Sequence, residues 1–374
     1  MRKIVLVTST RAEYGIMSRL IEALDKDADI NFYLLVTGMH LSEKFGMTKN
    51  EITQPIYKEI DIEIEKEPSH SFALAIEKFS ETLKEINPDL MVLLGDRYEI
   101  MGVAIAAMLN NIPIAHIHGG ETTQGAIDEA IRHSITKMSH LHFVSCEAYR
   151  NRVIQLGENP SRVFNVGALG VENTKKVELL SKEELGKSLN FKFNQKNLLV
   201  TFHPVTLEKG KAKEQVEELI KALKELQDTN IIITMPNSDS ESDDIFEKIY
   251  EFEKENSNVY TYKSLGMKRY LSTLKYVDMV VGNSSSGIVE VPSFKIPTIN
   301  IGDRQKGRIQ ANSIINCEPK KDDILNAIKK GYELDCSSAI NPYEGKDSAD
   351  EIIKILKNYN LDNILKKEFY NINV

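Results

Sequence analysis

The chain has 374 residues, 41% hydrophobic and 27% charged, the make-up of a soluble globular protein with material for two domains at roughly 100–200 residues each. Lys and Arg number 47 against 55 Asp and Glu, a net charge of −8, which excludes a general polyanion-binding surface for nucleic acid and leaves room only for a local basic pocket for a phosphate ester. The longest nearly unbroken apolar run, Ile100–Leu109, falls short of the roughly 20 residues of a membrane helix, and Ile4–Val7 is too short for a signal-peptide core.

In chain order, Lys3–Val7 reads as a buried strand, followed by Thr8-Ser9-Thr10-Arg11 and a helical stripe at Ile16, Leu20, Ile21 and Leu24. Strands are predicted at Asn31–Val36, at Leu90–Leu94 after the turn Asn87-Pro88-Asp89, at Ile112–Ile117 and at Leu141–Ser145. After the polar, lysine-rich stretch Asn173–Lys196 the rhythm restarts. Strands are predicted at Asn197–Phe202, Asn230–Met235, Val259–Tyr262, Met279–Val281 and Thr298–Ile301, with helical segments such as Lys213–Leu226 between them. Continuous apolar runs alternating with amphipathic ones indicate parallel sheets covered on both faces. The fold class is therefore α/β, with two doubly wound Rossmann-like domains facing a cleft. The expected division is 1–175, 190–350 and a helical tail 351–374 that packs back on the first domain. In such folds ligands sit at the carboxyl ends of the strands. The three cysteines, Cys146, Cys317 and Cys336, form no CxxC and no disulfide scaffold, so a reducing cytoplasm is the expected location.

Six motifs lie at predicted strand ends. Thr8–Gly15 offers hydroxyls, amides and Arg11 at a helix start, a setting for an anion or a plain N-cap. Gly95-Asp96-Arg97 places a carboxylate and a guanidinium just past an apolar strand, as a base and its neighbour or as a cap and an ion pair. His116-Ile117-His118-Gly119-Gly120-Glu121 follows, then Gly125–Glu129 and Arg132-His133; five of the eight histidines fall between His116 and His142. His116 and His118 are at strand spacing and are expected on one side. Asp128 opens a helix with Arg132 one turn on. A zinc site is one reading of this cluster, but no third ligand has a typical spacing, so acid/base chemistry is preferred and no metal is expected. His140 and His142 read as structural.

His203, held extended by Pro204, closes a strand of the second half. Ser284, Ser285, Ser286 and Gly287 at the next helix start suit a diphosphate, and Glu290 one turn on suits ribose hydroxyls. Arg304, in Gly302–Arg308, belongs to a glycine-containing basic loop that can close on phosphate, or to a solvated surface loop.

These motifs in this order resemble the hydrolysing UDP-N-acetylglucosamine 2-epimerases of bacterial sialic-acid synthesis, over nearly the whole chain. Val36–His40, Gly95-Asp96-Arg97, His116–Glu121, Arg132–Ser139, Phe202-His203-Pro204, Asn283–Gly287 and Gly302–Gln305 carry the resemblance. Relatives acting on UDP- or GDP-linked diacetamido-bacillosamine, on the route to legionaminic acid, look similar at nearly all of these. The resemblance implies a GT-B-like fold with the nucleotide held mainly by the C-terminal domain, no cofactor, and a homodimer or homotetramer. It implies conversion of UDP-GlcNAc and water to N-acetylmannosamine and UDP through a 2-acetamidoglucal. The catalytic candidates are Asp96, His118, Glu121, Asp128 and His203, and the substrate-holding ones Arg11, Arg97, Ser284, Ser285, Ser286, Gly287, Glu290 and Arg304. Some members have Glu where this chain has His118, so either His118 substitutes or Glu121 takes that place. A glycosyltransferase is the alternative of another class, and a nucleotide-sugar sensor a third; neither explains so many titratable groups together.

Overall fold

The computed structural model describes residues 1–124, 126–205, 207–236 and 242–372; Gly125, quoted above, lies outside the described residues. The chain divides into two compact units, Met1–Glu121 with Asp128–Asn173 and Tyr343–Val374, and Thr122–Ile127 with Thr174–Pro342.

Among the described residues, the first unit is built on a parallel sheet of β1 (Arg2–Thr8), β2 (Ile30–Thr37), β3 (Lys58–Ile60), β4 (Leu90–Leu94), β5 (Ile114–Ile117), β6 (Leu141–Val144) and β7 (Val163–Asn165). Its helices are α1 (Arg11–Lys26), α2 (Pro68–Ile86), α3 (Tyr98–Leu109), α4 (Asp128–Met138), α5 (Glu147–Gln155) and α6 (Leu169–Lys176). The strand order is β3-β2-β1-β4-β5-β6-β7. The winding reverses between β1 and β4, which makes the carboxyl ends of those two strands the switch point where ligand sites form in open α/β sheets. Alternation along β1 explains its unbroken apolar run: Ile4 and Leu6 join one buried cluster and Val5 and Val7 another, on opposite faces.

The second unit repeats this plan. Helix α7 (Lys182–Leu189) precedes β8 (Lys196–Thr201), α8 (Ala212–Lys224), β9 (Thr229–Thr234), α9 (Ser242–Glu255), β10 (Val259–Tyr262), α10 (Gly266–Leu274), β11 (Met279–Gly282), α11 (Ser285–Val289), β12 (Thr298–Ile301), β13 (Ile314–Cys317) and α12 (Lys321–Glu333). The order β10-β9-β8-β11-β12-β13 puts the switch point between β8 and β11. Gly282 ends β11 at φ 140, and a Cβ there would lie 1.9 Å from the Thr201 carbonyl oxygen, so only glycine allows the two strands to pair up to the switch point. Helix α13 (Ser348–Asn358) returns to the first unit, where Ile352 and Leu356 join Leu20 and Leu24 of α1 in one core and Lys357 pairs with Asp27 at 2.9 Å.

Two expectations are corrected. The strand predicted from Ile112 begins at Ile114: the Ile112 N–H donates to Ala107 at 3.0 Å and so closes α3, and Pro113 has no N–H for a ladder. His118 does not continue the alternation from His116, because β5 ends at Ile117 and His118 is left-handed, at φ 65. Strands β3, β7 and β13 were not predicted. They are edge strands of three or four residues, too short for a periodic signal.

Candidate active site

In the first unit, the turns after β4 and β5 carry the acid/base candidates. His116, at the end of β5, is buried, and that burial pushes its imidazole down to about 3, so it is neutral. Its Nε2–H donates to the Gly95 carbonyl at 2.7 Å and its Nδ1 lies 3.2 Å from the Thr136 hydroxyl. The ring thus ties the Gly95-Asp96-Arg97 turn to α4, as a structural strut rather than a ligand.

Arg132 of α4 is the hub. Its Nη2 donates to Asp96 Oδ2, and its Nη1 donates to Glu121 Oε2 at 3.3 Å and to the His118 carbonyl at 3.4 Å. Arg132 and Glu121 are each 2% exposed. Glu121 Oε1 accepts from the Ser145 hydroxyl at 2.8 Å and lies 3.5 Å from His118 Nδ1. The structure therefore brings Asp96, His118 and Glu121 together around one buried guanidinium. A buried charge is retained where it is paired and hydrogen-bonded in this way. The sequence marks Arg132 as a neighbour of Asp128 and as part of a stretch that carries the resemblance, but not as a site candidate. Its partners lie up to 36 residues away along the chain, so no local signal reveals them. Asp128 is the first residue of α4, one turn before Arg132.

Arg11 opens α1 with its guanidinium 4.0 Å from Glu51, and Arg97 Nε donates to Glu99 at 2.5 Å. His140 and His142 serve the fold. His140 Nδ1 accepts from the Ile114 N–H at 3.2 Å, and His142 Nε2 lies 3.0 Å from buried Glu158.

In the second unit the switch point is clasped by Asn283. Its Oδ1 accepts from the His203 N–H at 2.7 Å and its Nδ2 donates to the His203 carbonyl at 2.8 Å. The Asn283 carbonyl in turn accepts from Gln305 Nε2 at 2.9 Å and from Arg304 Nη1 at 3.2 Å. One asparagine side chain thus orients His203, and its carbonyl holds the Arg304 loop. Neither Asn283 nor Gln305 was among the candidates. Their side chains do the work of backbone partners, which sequence does not distinguish from a solvated polar residue.

Ser284 caps α11 by accepting from the Ser286 N–H at 3.4 Å, and Ser286 Oγ accepts from Tyr270 at 2.6 Å. Burial raises the Tyr270 phenol, so it remains a donor. Ser285 is exposed. Gly287 is buried, and a Cβ there would stand 2.8 Å from Thr298 Cγ2, so close packing of α11 on β12 requires this glycine. Glu290 caps the carboxyl end of α11. If it holds ribose hydroxyls, Glu290→Gln should weaken UDP by roughly 1.5–3 kcal/mol, the worth of a charged hydrogen-bond acceptor, in a calorimetric titration. Among the described residues, no group of three or more His, Cys, Asp or Glu is arranged to hold a metal ion, and no helix is long and apolar enough to cross a membrane.

A family model described as UDP-N-acetylglucosamine 2-epimerase matches residues 22–357. The chain is 40% identical to a Campylobacter jejuni protein named GDP/UDP-N,N'-diacetylbacillosamine 2-epimerase (hydrolyzing), over 98% of each chain. It is 41% identical to the polysialic acid biosynthesis protein P7 of Escherichia coli, over 100% of this chain and 98% of that one. Its fold is similar to the crystal structure of UDP-GlcNAc 2-epimerase from Neisseria meningitidis bound to UDP-GlcNAc, with a TM-score of 0.79 at 18% identity, covering 95% of this chain and 99% of that one. The chain belongs to the UDP-N-acetylglucosamine 2-epimerase family and, like the relative named a hydrolysing 2-epimerase, is an enzyme.

Proposed function

We propose that the enzyme converts UDP-N-acetylglucosamine and water to N-acetylmannosamine and UDP. A base takes the proton on carbon 2 of the sugar. The electron pair forms the carbon 1–carbon 2 double bond, and the bond from carbon 1 to the phosphate oxygen breaks, releasing UDP and 2-acetamidoglucal. Water then adds across the double bond, its hydroxyl to carbon 1 and a proton to the opposite face of carbon 2. This needs two proton-handling groups and a grip on the leaving diphosphate.

The observation that carries the reading is the cluster around Arg132, whose guanidinium holds the carboxyl groups of Asp96 and Glu121 and the backbone carbonyl of His118, with the His118 imidazole 3.5 Å from Glu121. In this reading Asp96 transfers one proton, and His118 or Glu121 the other, with Asp128 assisting. His203, Arg11, Arg97, Arg304 and the Ser284–Gly287 turn act on the diphosphate, and Glu290 on the ribose. A second reading is the same reaction on UDP- or GDP-linked diacetylbacillosamine, favoured by the 40% identity to the Campylobacter jejuni relative over the full chain.

The test is incubation with each of the three nucleotide sugars, without acceptor, in deuterium oxide. Release of nucleoside diphosphate and of a free 2-epimeric sugar with deuterium at carbon 2 is expected, and the best substrate decides between the readings. No release would overturn both; release only on adding an acceptor would then point to a glycosyltransferase, and none under either condition to a nucleotide-sugar sensor.

A further inference from the structure

At the switch point of the first sheet, the turn after β1 and the turn after β4 are joined by three buried residues, Ser9, Glu13 and Glu99, that the reaction above does not use. Glu13, on the first turn of α1, is 6% exposed, and Glu99, on the first turn of α3, is 0% exposed. Ser9 lies between them. Its N–H donates to Glu13 Oε2 at 2.8 Å, and its hydroxyl oxygen is 2.9 Å from that same oxygen and 2.9 Å from Glu99 Oε1. Arg97 Nε donates to Glu99 Oε1 at 2.5 Å. The Ser9 carbonyl accepts from the His40 N–H at 3.3 Å, which fixes the turn from the side of β2.

A serine hydroxyl has one proton and can donate it to only one of two carboxylate oxygens. Both 2.9 Å contacts are hydrogen bonds only if one carboxyl is protonated and donates to Ser9. The consistent chain runs from Glu13 Oε2–H to Ser9 Oγ, and from Ser9 Oγ–H to Glu99 Oε1, which Arg97 also holds. The charges agree. Glu99 Oε2 is buried with no hydrogen-bond partner among the described residues, so the pair has fewer donors than two buried negative charges would need. Burial first, and the charge of Glu99 second, push Glu13 from 4.5 up to about 7, against the opposing pull of Arg97 and the Ser9 hydrogen bonds. Of the other titratable groups on the adjoining elements, His40 sits between Thr8 and Thr48 and is held down to about 4, Tyr98 is raised to about 12, and Arg11 faces Glu51.

We propose that Glu13 and Glu99 share one proton through Ser9, and that this link is a positioning device. It locks the turn bearing Arg11 to the turn bearing Asp96 and Arg97, and the singly protonated pair is the form that turns over nucleotide sugar. The proposal rests on the functional reading above only for its kinetic arm. When the proton leaves, Ser9 has one hydrogen for two carboxylates and the link between the turns weakens.

The experiment compares the parent with Glu13→Gln, a neutral side chain of the same size, in the ligand-free enzyme and in turnover. In infrared spectra the parent should show the carbonyl stretch of a buried protonated acid at pH 6 that fades by pH 8 and is missing in the variant. A group raised from 4.5 to about 7 on folding stabilises the fold fully below pH 4.5 and loses that contribution as pH rises through 7, so the melting temperature of the variant should gain on the parent between pH 5 and pH 8. The ratio of variant to parent kcat/KM should rise about tenfold between pH 6 and pH 8. An unchanged infrared band in the variant overturns the shared proton, and a flat kcat/KM ratio overturns the positioning role. Should Glu13→Gln not fold, Ser9→Ala removes the bridging hydroxyl and keeps both carboxyls. It should lower kcat/KM and shift the pH limb, and an unshifted limb counts against the proposal. A parent that consumes no nucleotide sugar would overturn the functional reading instead, and the infrared and melting arms then decide the pair alone.

Discussion

Asp96→Asn is expected to cut turnover by about 10²–10⁴-fold or more, the usual worth of a general acid or base, while UDP affinity stays within a few-fold. Asparagine keeps the size of the side chain and an oxygen for Arg132 Nη2, so the hub can persist while the proton-transferring group is lost. A merely structural Asp96, orienting Arg132, would tolerate asparagine far better, and steady-state kinetics separate the two outcomes. The companion variants are His118→Ala and Glu121→Gln. Glu121 is the more constrained of the two, gripped by Arg132 and Ser145, whereas His118 presents its ring from a left-handed turn. If His118→Ala keeps near-parent turnover and Glu121→Gln does not, Glu121 is the second proton-handling group.

Arg132→Ala is expected to cost both fold and function. It leaves Glu121, 2% exposed, without the guanidinium that neutralises it, and removing one member of a buried ion pair destabilises by about 3–5 kcal/mol. Asp96 adds less to that cost, because 21% of its side chain is open to solvent. Urea unfolding measures the first effect. The second is a fall in kcat at substrate saturation, since Asp96 and Glu121 lose their common orienting group. Arg132→Lys keeps the charge but not the planar fork that reaches Asp96, Glu121 and the His118 carbonyl together, so it should recover stability more than turnover. Equal stability of parent and Arg132→Ala would show that the hub does not hold the cluster.

Much of the fold was legible in the residues. Leu90–Leu94, Val259–Tyr262 and Thr298–Ile301 are strands over the predicted spans: the first is apolar throughout because it is buried on both faces, and the other two are runs of β-branched and aromatic residues that suit a pleated strand even with Thr and Asn among them. Asp96, His118, His203 and Ser284 could be picked out for the same reason: polar residues directly after such runs stand at the carboxyl ends of the strands, where the sheet stops burying side chains. The class of enzyme followed from the family resemblance that six such clusters carry in their order.

What only the tertiary structure decided is which of these groups touch. Arg132 meets Asp96 across 36 residues of chain, Asn283 clasps His203 across 80, and Ser9 reaches Glu99 across 90. In the sequence Glu13 and Glu99 are first-turn helix acids, a placement that the helix dipole favours on any solvent-exposed helix. Whether such a carboxyl is solvated or buried beside a second one depends on strand order. The reversal of winding between β1 and β4 sets their two turns side by side and shuts water out from between them. Hydrophobic periodicity is a local property and is written along the chain. Polar pairing inside a parallel sheet fold is a property of strand neighbours, and it exists only once the sheet has formed.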